Sequence, residues 1–167
     1  MANPLYGQNK TDNEIDNAAG KVIVATDDIT LTAAQSGSTV FMNAAAKTIQ
    51  LPSAKAGLRF KVIFGVATTA GADILADAGN DCFFGIVRLF STTADQAGVP
   101  QILTHAVAVA APGSYDTMDF VAATATIGGS AGDMVELVAV DGTAWHVNAS
   151  LTTSNANPGT VAVIVAS

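Results

Sequence analysis

Charge is the scarcest ingredient of this sequence. Asp, Glu, Lys and Arg make up 13% of it, where an average globular chain has about 25%. Seven basic side chains stand against fourteen acidic ones, a net charge of −7. No basic stripe exists to follow a phosphate backbone, which argues against DNA or RNA as a partner. Cysteine occurs once, at Cys82, and so closes no intrachain disulfide; beside Phe83 and Phe84 it reads as a buried thiol behaving as a small hydrophobe. Histidine occurs twice, at His105 and His146, with no cysteine or carboxylate at zinc-ligand spacing. Aromatic residues are 6% of the chain, and only Tyr6, Tyr115 and Trp145 are not phenylalanine, a poor supply for the exposed platforms of a sugar-binding site. The opening MANPLYGQNKTDNEID has neither a basic n-region nor an apolar h-region, and no apolar run reaches the ~18 residues of a membrane span. No membrane and synthesis in a host cytoplasm are the expectation, under which the sequons at Asn9 and Asn148 carry no glycosylation meaning. Heptads and clear repeats are also absent.

What remains is apolar and small. Half of the 167 residues are hydrophobic, and a chain of this size buries about two-thirds of its unfolded surface without disulfide or cofactor. With so little charge, the surface is built from Ala, Gly, Ser, Thr and Asn, which suits burial against partners.

The clearest period-2 writing runs from Thr39 to Phe64. Thr48 to Leu51 alternates polar with apolar, Pro52 and Gly57 bracket a connection, and Leu58 to Phe64 resumes the alternation with Arg59 and Lys61 on one face. This reads as a hairpin whose buried face carries Ile49, Leu51, Leu58, Phe60 and Val62. A second hairpin is expected over Met134–Val140 and Trp145–Val147, turning at Asp141-Gly142, a pair that tolerates positive φ. Shorter strands are expected at 21–25, 29–32, 73–76, 82–90, 118–121, 124–127 and 160–166. The Ala- and Val-rich segment 101–111 is strand or helix by periodicity, with Val107, Val109 and the closing Pro112-Gly113 favouring strand. About ten short strands and no long helix point to an all-β fold, an antiparallel barrel or sandwich over residues 21–167. Residues 1–20 are polar and lack an apolar period, and they read as an extended N-terminal arm whose Pro4, Leu5 and Tyr6 form an apolar hook.

Catalytic and metal signals are weak. Gly128-Gly129-Ser130-Ala131-Gly132 matches the nucleophile-elbow pattern, but a strand pattern follows it where a helix is required, and only His146 lies downstream. Asp73, Asp77 and Asp81 are the acidic group from which calcium would draw oxygens. Without a twelve-residue loop closed by Glu they read as solvated turn residues, and neither metal nor cofactor is expected. A glycan hydrolase would need two carboxylates facing each other across a cleft, which sequence spacing does not reveal.

Three blocks, taken in order, resemble a known family. They are Ile29-Thr30-Leu31-Thr32 to Val40-Phe41, then Ile49-Gln50-Leu51-Pro52 to Gly57-Leu58-Arg59-Phe60-Lys61, and Gly132-Asp133-Met134-Val135-Glu136-Leu137 to Asp141-Gly142-Thr143-Ala144-Trp145-His146-Val147. Together they look like the small head decoration proteins of tailed bacteriophages, which cap the capsid exterior as oligomers, often trimers. The likeness covers residues 29–147 and is shared in part with modules of phage tail fibres, so a receptor-binding fibre tip is the alternative. It implies a virion structural protein on the capsid exterior that is not an enzyme, partnered by the major capsid protein and by copies of itself. The arm residues Pro4, Leu5 and Tyr6 are the expected contacts.

Overall fold

The computed structural model describes residues 21–68, 72–77, 79–91, 102–108, 110–122, 125–126, 128–153 and 163–165. Fourteen strands form among them: β1 (Val22–Ala25), β2 (Ile29–Thr30), β3 (Thr39–Met42), β4 (Thr48–Gln50), β5 (Arg59–Phe64), β6 (Asp73–Leu75), β7 (Cys82–Ser91), β8 (Ile102–Val107), β9 (Thr117–Asp119), β10 (Val121–Ala122), β11 (Ala125–Thr126), β12 (Met134–Ala139), β13 (Ala144–Thr153) and β14 (Ile164–Val165). The one helical piece among the described residues is a single 3-10 turn, Ala33–Gln35. Segment 102–107 is therefore strand, as its β-branched residues favour.

A seven-stranded sheet in the order β1-β3-β5-β12-β13-β7-β8 packs on a five-stranded sheet in the order β14-β9-β6-β4-β2, with β10 and β11 as a separate ribbon. One apolar core joins the layers: Val40, Phe60, Phe64, Leu137, Trp145 and Leu151 come from the larger sheet, and Ile49, Ile74, Met118 and Ile164 from the smaller. The fold is thus an all-β sandwich, but its sheets are mixed. β1, β3 and β5 run parallel, as do β2, β4 and β6, because the chain passes to the other layer after every strand from β1 to β6.

That winding corrects the first expected hairpin. β4 and β5 lie in different sheets, and the segment from Leu51 to Leu58 crosses between layers. The buried faces hold nonetheless, since Ile49, Leu51, Phe60 and Val62 all enter the core and Leu58 packs against its margin. The second hairpin forms as expected, β12 antiparallel to β13 with Leu137 opposite Val147. Its turn works differently, however: Gly142 is not among the positive-φ residues, and Asp141 Oδ1 accepts the amides of Thr143 (2.7 Å) and Ala144 (2.8 Å). In the final segment Ile164 and Val165 pair within the chain, against Met118 and Thr117.

Gly85 permits the long parallel pairing of β7 with β13. Its φ is +135°, and a β-carbon there would overlap the carbonyl oxygen of Val147, so only glycine fits.

Candidate functional site

Pro4, Leu5 and Tyr6 lie outside the described residues. Ser130 lies in the turn before β12, where its amide donates to Asp133 Oδ2 (3.0 Å). Thr152 donates its amide to the same oxygen (2.9 Å), and burial pushes the Asp133 carboxyl above its ordinary range against these bonds. His146 pairs across the ladder with Val138 and sets its ring 5.3 Å from that of Phe84. Ser130 precedes Met134, at the other end of β12, so His146 stands away from the elbow motif.

The three aspartates do not assemble. Asp73 lies opposite Asp119 across β6 and β9, Asp77 accepts from the Ser53 hydroxyl, and Asp81 is wholly buried rather than solvated. Asp81 Oδ2 accepts the Ala54 amide (2.7 Å) and Trp145 Nε1 (3.3 Å), which ties the interlayer crossover to the core. Among the described residues no three His, Cys, Asp or Glu side chains stand close enough to hold a metal, and no helix is long and apolar enough to cross a membrane. Cys82 is buried, its thiol donating to the Ala110 carbonyl oxygen (3.4 Å).

The surface with a distinct character is the outer face of the larger sheet. Strand register lays its side chains in rows. One row runs Val24, Phe41, Ile63, Met134, Ser150, Arg88, and the next runs Val22, Thr39, Lys61, Glu136, Asn148, Ile86. A third holds Arg59, Val138, His146 and Phe84. The first row is apolar over four consecutive strands. Val22 and Val24, on the edge strand, are 60% and 56% exposed, while Phe41, Ile63 and Met134 are half-buried. Phe41 lies flat over Gly65, where a β-carbon would strike its ring. At the far side Ile86 and Phe90 are also exposed.

Charge on this face is sparse and central. Lys61 Nζ is 4.0 Å from Glu136 Oε1, and Arg88 Nη1 donates to Asn148 Oδ1 (2.7 Å). The Arg59 guanidinium has no partner among the described residues. A groove of about 320 Å³ runs between Gly37, Ser38, Arg59, Lys61, Glu136 and Val138. Alternation had put Arg59 and Lys61 on a wet face, but it did not mark the apolar row. The available signal was β1 itself, which reads Val-Ile-Val-Ala with no polar residue on either face, although a solvated edge strand normally alternates.

Compared with known proteins, the chain matches no family model, no curated protein and no solved structure.

Proposed function

We propose that this chain is a virion structural protein that decorates the outside of a bacteriophage head, binding the major capsid protein as an oligomer, a trimer, and stabilising the lattice without catalysis. The observation that carries the reading is the apolar row Val24, Phe41, Ile63 and Met134, flanked on the edge strand by exposed Val22, open at a sheet edge on a low-charge surface. Contiguous exposed apolar side chains mark surfaces that meet other proteins. On a lattice, modest contacts of this kind are multiplied by copy number. The three blocks that carry the family likeness fall on β2–β3, β4–β5 and β12–β13, the last two of which supply β5, β12 and β13, three of the seven strands of that face. In this reading the row is the contact between copies, and Pro4, Leu5 and Tyr6 of the arm meet the capsid.

The test uses heads from phage in which the gene for this chain is deleted. Purified protein is expected to co-sediment with such heads at a fixed stoichiometry and to raise their disruption temperature. Sedimentation without heads, or immunogold labelling of the tail tip instead of the head, overturns the reading.

A further inference from the structure

We propose that the groove lined by Arg59, Lys61 and Val138 is a seat for the acidic stretch Asp12–Asp16 of the chain's own N-terminal arm. The inference stands on the groove and the arm's sequence, and does not depend on the capsid reading.

The described chain begins beside the groove. The Lys21 carbonyl accepts the Thr39 amide (2.9 Å), and the Gly37 amide donates to the Arg59 carbonyl (2.7 Å), so the entry to β1 lies next to the Gly37–Ser38 wall. Residues 1–20 lead into that point. Ala18, Ala19 and Gly20 are small, and glycine lets the backbone reverse without penalty. From β1 to β12 is three strand spacings, about 14 Å, while five residues extended reach about 17 Å. A chain extended back from Lys21 thus brings Asp16 within reach of the groove, with Glu14 and Asp12 following it.

Charge and spacing then match. Asp12, Glu14 and Asp16 alternate with Asn13 and Ile15, so an extended backbone puts all three carboxylates on one side. Arg59 and Lys61 also stand two residues apart on β5, both on its outer face, at the same repeat of about 6.8 Å. The groove offers two of only seven basic side chains in the molecule, one of them without a partner among the described residues and the other held by Glu136 at 4.0 Å. Exposed ion pairs are individually weak, but a tethered segment acts at high effective concentration, so a short row of them is enough to hold it.

Zero-length carbodiimide cross-linking of the full chain, read by mass spectrometry, tests this. Lys61 is expected to cross-link to peptide 11–21 as well as to Glu136, which serves as the internal control. The arm cross-link is expected to fall to background in high salt and in Arg59→Glu, where Lys61 is unaltered. In an equal mixture of light and nitrogen-15-labelled protein, it is expected only within one copy. Cross-links only between copies assign the groove to a neighbour's arm and overturn the proposal. So does a Lys61–Glu136 cross-link with no arm peptide, or an arm cross-link indifferent to salt.

Discussion

Asp81 is the residue whose chemistry is most at odds with its surroundings. It is fully buried, its Oδ2 serves two donors, and its Oδ1 has no partner among the described residues. Burial raises its pKa more than the Ala54 and Trp145 bonds lower it. Asp133 is raised by burial too, and Asp73 by burial and then by Asp119. A carboxyl raised on folding stabilises the fold fully below its unfolded value, and that contribution disappears as pH rises through the folded value. All three contributions are therefore full below the ordinary carboxylate value of about 3.9 and fade as the pH rises above it. Asp141 runs the other way. The Thr143 amide holds it low, so its contribution is lost only below the ordinary range, and its full exposure makes it minor. The melting temperature is accordingly expected to rise as the pH falls from neutrality toward about 4. In Asp81→Asn, which keeps an oxygen for Ala54 and Trp145, the slope is expected to flatten. A midpoint that falls on acidification, or an unchanged slope in the variant, contradicts this assignment.

At the scale of elements, Phe60 and Trp145 show what alternation can and does not reveal. They stand on β5 and β13, separated by β12, and their rings meet 6.0 Å apart in the core. Phe60→Ala is expected to cost about 3–5 kcal/mol, since both lost burial and a cavity contribute; a thermal midpoint within a degree or two of the parent contradicts the packing. The faces of Ile49, Leu51, Phe60, Val62, Leu137 and Trp145 were legible in the sequence, because the period of two that buries a strand is written in its own residues. The partners of β4 and β5 were not. A hairpin and a crossing between layers bury the same alternate positions, and the one clue was length: the connection from Leu51 to Leu58 is longer than the 2–5 residues of common hairpin loops. The β12–β13 turn was legible because it is short and polar, although its mechanism is the Asp141 carboxylate rather than a left-handed glycine. Asp81 was misread as solvated because an Asp-rich turn looks the same in sequence whether or not a neighbouring layer closes over it.

For the molecule as a whole, the decisive question is what covers the outer face of the larger sheet. Its core side is closed by the smaller sheet, so the apolar residues at the β1 edge contribute little to folding and remain free to meet another molecule. Val24 separates these roles cleanly. It is 56% exposed, lies on the edge strand, and heads the row that continues through Phe41, Ile63 and Met134. A carboxylate there leaves the buried core untouched, and exposed substitutions of this kind usually change stability by less than about 0.5 kcal/mol. At an interface, the same carboxylate must be desolvated against apolar neighbours, a cost of several kcal/mol for each copy. In a symmetric trimer that cost enters at every contact. Val24→Asp is therefore expected to keep the parent's melting temperature while shifting native mass spectra from trimer to monomer at micromolar concentration. Val22→Asp, one row away on the same edge, is expected to do the same more weakly. If both variants remain oligomeric, or if the parent is monomeric at that concentration, the β1 edge is not the contact between copies.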